Sequence, residues 1–129
     1  MVKPKKVKLG KGYFYPPGSC EDEALLQLMS RYKRAVASRY LAVKEEEIEE
    51  LQLSGAMVSQ KLDGELWFLH WTKGEALLYS VNGRMIGGEL PLLVDAKKAL
   101  GKNGGKEDLL FAGELYVQGK GDDRPRVGD

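Results

Sequence analysis

Several things are scarce in this chain, and each scarcity excludes something. There is one cysteine, Cys20, so no internal disulfide can form, and a reducing, cytoplasmic setting is expected. There is one histidine, His70, with no second histidine or cysteine spaced to complete a zinc site. No apolar run approaches the ~20 residues that span a bilayer, and no apolar stretch follows the basic N-terminus to make a signal peptide. Neither charge sign is in excess: 20 basic and 19 acidic residues leave +1, so total charge points to no partner. No Walker-type or dinucleotide-binding glycine motif is present, and no internal repeat.

What is present is a soluble globular composition, 43% hydrophobic and 30% charged over 129 residues, the length of one ordinary domain. Three textures follow one another. Residues 1–17 form a basic arm with Lys3, Lys5, Lys6, Lys8 and Lys11 and no acid; residues 1–11, broken by Pro4 and Gly10, are expected to be a frayed, solvated terminus, and Tyr13, Phe14 and Tyr15 to anchor the arm to the core. Clustered lysines of this kind can also touch nucleic-acid phosphates. Residues 18–54 read as helical. Ser19 is the expected N-cap with Asp22 in the capping-box position, and Leu25, Met29, Tyr32, Val36 and Tyr40 form a one-faced apolar stripe. Lys44–Leu51 is a second, short helical stretch whose five glutamates read as a solvated face.

Residues 55–129 read as strand-rich. Leu66–Trp71 and Ala76–Val81 are expected strands joined by a hairpin loop at Thr72–Glu75, and Asn82-Gly83 is a tight-turn signal. A helix is expected from Leu92 to Leu100, opened near Pro91 and closed at Gly101. A loop at Asn103–Gly105, a last strand over Leu109–Val117 and a polar tail from Gly119 follow. His70 is expected to be a structural strand residue, and Trp67 and Trp71, four apart on one strand face, to be core. The fold class is α+β: N-terminal helices, then an antiparallel sheet with one covering helix.

Three short motifs carry the chemistry. Lys61-Leu62-Asp63-Gly64 opens the strand-rich half; alone it is a weak pattern, as readily a surface turn. Ser80-Val81-Asn82-Gly83-Arg84 comes a hairpin later, and Phe111-Ala112-Gly113-Glu114-Leu115-Tyr116 comes after a helix. In this order, over residues 56–117, they resemble the covalent nucleotidyltransferase superfamily of ATP-dependent DNA ligases, RNA ligases and mRNA capping enzymes. The resemblance implies a partial nucleotidyltransferase domain, an ATP-grasp-like ligase fold, that forms a lysyl-AMP adduct at Lys61 and passes AMP to a nucleic-acid 5′-phosphate. It implies ATP and Mg²⁺ as cofactors and nicked DNA, or RNA, as partner. Gln60, Lys61, Asp63, Gly64, Arg84 and Glu114 would surround the nucleotide, with Glu114 facing the ribose or the metal.

The chain departs from the family pattern at identifiable places. Leu66 and Val81 stand where ligases carry arginine, Ala112 where they often carry aspartate, and Ser59 where many carry the glutamate that recognises adenine. The family's later Glu-Gly and Lys-x-Lys motifs do not occur, which predicts that the chain is the N-terminal half of a catalytic domain and that the missing C-terminal part is its partner. The amine must be neutral to attack, and free lysine, with a pKa of about 10.4, is neutral in well under ~1% of molecules at pH 7. Burial, neighbouring cations or a metal are therefore expected to lower the Lys61 pKa. A non-catalytic nucleic-acid-binding module and a plain interaction domain are the readings from other classes.

Overall fold

The computed structural model describes residues 5–102 and 108–117. The expected loop at Asn103–Gly105 and the tail from Gly119 lie outside them. The chain runs β1 (Val7–Leu9), β2 (Gly12–Tyr15), α1 (Glu23–Ala37), a 3₁₀ helix (Glu45–Glu50), β3 (Glu65–Thr72), β4 (Glu75–Tyr79), β5 (Met85–Gly88), α2 (Pro91–Lys102) and β6 (Leu109–Leu115). The strands make one six-stranded sheet in the order β1-β2-β5-β4-β3-β6, with every neighbouring pair antiparallel. The α+β class is as the sequence pattern indicates.

Strand periodicity divides the core between the two faces. On one face Trp67, Trp71, Leu78 and Ile86 pack with Leu93 of α2. On the other, Phe68 and Tyr79 pack with Leu25 and Met29 of α1. Trp67 and Trp71 are both buried on the α2 side, as their spacing implies. His70 falls on the α1 side, its ring edge-on to Tyr79 with centroids 5.9 Å apart.

Three local outcomes correct the sequence reading. The N-terminal arm is not frayed over residues 7–11: β1 and β2 form a hairpin whose outer lysines are solvated, and β2 pairs with β5, while Phe14 packs on the core as its aromatic stretch implies. Gly10, read as a breaker, is the turn residue, at φ +57°. Helix α1 starts later than expected. Asp22, not Ser19, is its N-cap, accepting a hydrogen bond from the Leu25 amide at 3.1 Å, while the Ser19 hydroxyl donates to the Pro16 carbonyl at 2.6 Å. The helix ends at Ala37, so only the first half of the apolar stripe, Leu25 and Met29, is fully buried. The Lys44–Leu51 stretch forms a 3₁₀ rather than an α-helix. From residue 37 to residue 64 every side chain is exposed, so no packing rewards a longer helix there.

The turns agree with the sequence. Lys73 and Gly74, at φ +51° and +77°, make the two-residue β3–β4 connection. Gly83, at φ +84°, closes the Ser80–Arg84 turn by donating to the Ser80 carbonyl at 3.0 Å.

Candidate nucleotide site

The three motifs, far apart in sequence, meet at the N-terminal end of β3. Gly64 immediately precedes that strand and abuts the end of β6. A Cβ there would come within 2.5 Å of the Leu115 carbonyl oxygen and 3.2 Å of the Tyr116 Cβ, so only glycine lets the two backbones approach. Leu66 pairs with Glu114 across the β3–β6 ladder, which puts the third motif beside the first.

The second motif is bolted to the same place by Arg84. Its guanidinium donates to Glu65 Oε2 at 3.2 Å and lies over the Trp67 ring, 4.7 Å from the centroid. Trp67 Nε1 donates to the same carboxylate oxygen at 3.2 Å. Arg84 Nε also reaches Ser80 Oγ and Asn82 Oδ1, each at 3.2 Å, and the Ser80 hydroxyl bonds Asn82 Oδ1. Ser80 is 2% exposed, and this network satisfies its hydroxyl. The turn is held from outside as well: the Gly18 and Cys20 amides donate to the Asn82 and Gly83 carbonyls at 3.0 and 3.1 Å.

Two adjoining cavities open here, sharing Lys33 and Leu66. One, of about 410 Å³, is lined by Lys33, Glu65, Leu66, Ser80, Val81, Asn82 and Arg84. The other, of about 380 Å³, lies between α1 and the sheet; Tyr32, Val36 and Tyr40 stand on one side and Leu66, Ala112 and Glu114 on the other. A larger cavity of about 930 Å³, beside α2 and β4, contains none of the motif residues.

Lys61 departs from expectation. Its side chain is 83% exposed, and Nζ donates to Asp63 Oδ1 at 3.0 Å. The hydrogen bond and charge of Asp63 hold its pKa above the ordinary lysine value, with Glu114 and Tyr40 adding smaller pulls in the same direction. Lowering that pKa needs burial or neighbouring cations, whereas the lysine sits in an exposed segment beside the Asp63 carboxylate. Gln60 and Ser59 lie in the same exposed segment and line none of these cavities.

Of the expected site residues, Glu114 lines the smaller cavity and Arg84 the adjoining one, Gly64 abuts Leu115, and Lys61 and Asp63 pair with each other outside both linings. Sequence reasoning missed Tyr32 and Tyr40, which were read only as members of an apolar helical stripe, and it missed Lys33 and Glu65. No sequence signal marked them, because the stripe reads the same over its buried and its exposed half. For a nucleotide, the cavity has the size and apolar walls of a small-ligand site, with a few polar groups at its edge. For Mg²⁺, no group of three or more metal-ligating side chains occurs among the described residues.

Among the described residues, no helix is long and apolar enough to cross a membrane. No protein-family model, curated protein or solved structure matches the chain.

Proposed function

We propose that this chain is part of the adenylation domain of an ATP-dependent polynucleotide ligase, with Lys61 as the nucleotide acceptor. The observation that carries the reading is the meeting of three sequence-distant motifs at one end of β3: Gly64 against Leu115, Glu114 against Leu66, and Arg84 on Glu65. In the proposed reaction the Lys61 nitrogen forms a bond to the α-phosphorus of ATP, the bond to pyrophosphate breaks, and a proton leaves the nitrogen. AMP then passes to a 5′-phosphate, and a 3′-hydroxyl displaces it to seal the strand. Bound Mg²⁺ would neutralise phosphate charge.

Asp63 holds the amine in its protonated form, so the Lys61–Asp63 pair has to open before the bond forms. Gly64 keeps the lysine segment against β6. Glu114, whose charge acts on Lys61, would meet the ribose or the metal in this reading. The lysines of the β1–β2 hairpin and the basic residues of α1 are suited to nucleic-acid phosphates. DNA and RNA ligation share all of these features.

The exposed Lys61–Asp63 pair favours a second reading, a non-catalytic nucleotide- or nucleic-acid-binding module built on the same scaffold. Incubation with α-labelled ATP and Mg²⁺ separates them. The ligase reading expects an acid-labile adduct that Lys61→Ala abolishes. ATP binding, or salt-dependent DNA binding, without an adduct supports the module, and absence of adduct, ATP binding and DNA binding rejects the two readings together.

A further inference from the structure

The cavity of about 930 Å³ beside α2 and β4 lies at a seam in the sheet. The ladder between β4 and β5 covers two residues of each, Leu78 with Ile86 and Tyr79 with Met85. Strand β4 begins earlier, at Glu75, and β5 runs on to Gly88 along β2. Glu75, Ala76 and Leu77 therefore pair with β3 on one side and, among the described residues, with no strand on the other, where all three line the cavity. The lining comes from both faces of the sheet. Leu77 packs on the α1 side, and Tyr13, whose neighbour Phe14 packs on the α2 side, shares the face of Leu77. Val94, Lys98 and Lys102 come from α2. Tyr13 lies over bare β5 backbone: a Cβ at Gly87 would come within 2.8 Å of Tyr13 Cε2, and one at Gly88 within 3.3 Å of Cε1. Lys6 stands over the same ring, its Nζ 5.1 Å from the centroid. Gly101, in the last turn of α2, also lines the cavity, and a Cβ there would meet nothing within 4 Å, so the chain's own packing does not require the missing side chain. The acids of the lining, Glu75 and Glu89, stand on the strand side, and the helix side is basic. Lys97 is tied to Glu75 at 3.1 Å, while Lys98 and Lys102 form no ion pair among the described residues.

We propose that this cleft docks an extended, acidic peptide segment of a partner protein, which adds to the free edge of β4 beside α2. A free strand edge supplies backbone hydrogen bonds, and pockets for alternate side chains supply specificity. Successive residues of an added strand point to opposite faces. One set rests on Leu77 and Tyr13, which calls for apolar residues. The other set meets Lys98 and Lys102, which calls for carboxylates. From Val94 to Lys102 the helix rises about 12 Å at ~1.5 Å per residue, the span of about four residues of strand. The open edge favours a peptide over a nucleic-acid strand, which has no backbone amides to pair with it. The cleft contains no motif residue, so this role stands or falls apart from the nucleotide reading.

Fluorescence anisotropy with a labelled peptide of about six residues, alternating valine and glutamate, tests this, the length overhanging the span along α2. Saturable binding to the unmodified chain is expected, and a valine–lysine peptide of the same length should not bind. Reversing both free lysines, Lys98→Glu with Lys102→Glu, should weaken binding about tenfold or more. Both positions are exposed, so the fold is retained. N-methylation of alternate peptide amides should abolish binding in one register and spare it in the other, because only one set of amides faces β4. No binding of the acidic peptide, unchanged affinity in the double variant, or equal binding of the two N-methylated peptides would overturn the proposal. A labelled thymidine oligonucleotide that binds in place of the peptide, with the same dependence on Lys98 and Lys102, would overturn it too and assign the cleft to nucleic acid.

Discussion

Arg84 is the residue that joins the second motif to the start of β3, and replacing it should loosen the candidate site and the fold together. Arg84→Ala removes four interactions at once. The stacking on Trp67 is worth ~1 kcal/mol at a partly shielded position. The Glu65 ion pair has side chains 26% and 39% exposed, so solvent screening limits it to about 0.5 kcal/mol. The side-chain hydrogen bonds to Ser80 and Asn82 add ~0.5–1 kcal/mol between them, since Ser80 keeps its bonds to Asn82 and to the Arg84 amide. The total is about 2 kcal/mol, and a urea slope of about 2 kcal/mol/M turns it into a midpoint lower by about 1 M. Both tryptophans are buried, and Trp67 lies under the guanidinium, so intrinsic fluorescence reports the transition directly. Arg84→Lys should recover about half the loss, because a lysine keeps the charge without the planar fork. A loss below about 0.5 kcal/mol for Arg84→Ala would show that the network is solvated and does not bind the motifs together.

Other perturbations have defined outcomes. Gly64→Ala forces a Cβ onto the Leu115 carbonyl, where no side chain can yield, and should cost about 1–3 kcal/mol in urea denaturation and detach the lysine segment from β6. Asp63→Asn removes the main cause of the raised Lys61 pKa, so pH-dependent amine labelling read by mass spectrometry should show Lys61 reacting at lower pH than in the parent; an unchanged profile would refute the pairing. Burial raises the pKa of both Cys20 and Tyr79. The unfolded chain then loses these protons first, so their stabilisation is complete below the unfolded values of 9.0 and 10.0 and is lost as pH rises through the higher folded ones. Stability should fall from about pH 9 upward, and Tyr79→Phe should flatten the part of the fall that begins near pH 10.

What the sequence made legible was whatever a short stretch decides alone. The β3–β4 hairpin follows from Lys73-Gly74, the Ser80–Arg84 turn from Asn82-Gly83, and helix α2 from Pro91 and its apolar spacing. The burial of Trp67 and Trp71 follows from their strand period. What it hid depends on distant partners. The start of the β1–β2 hairpin looked like a frayed basic arm because its stability comes from pairing with β5, from Tyr15 with Met85 to Gly12 with Gly88. Strand β5 itself, Met85–Gly88 with two glycines, carries no alternating pattern to announce it. At the site, the meeting of Gly64 with β6 could be anticipated from the motif order. The state of Lys61 could not, because its pKa depends on whether the nearest neighbour of the amine is Asp63 or a burying wall. Tyr40 was legible as an apolar stripe member but not as a cavity wall, since that role exists only because α1 stops at Ala37.

The central claim is that Lys61 takes a nucleotide covalently at the place where the three motifs meet. Intact-mass measurement after incubation with ATP and Mg²⁺, followed by peptide mapping, tests it most directly. A mass increase of one AMP, localised to Lys61 and absent from Lys61→Arg, is the predicted result. An unmodified chain that nevertheless binds ATP, or an adduct mapped to any other lysine, would contradict it.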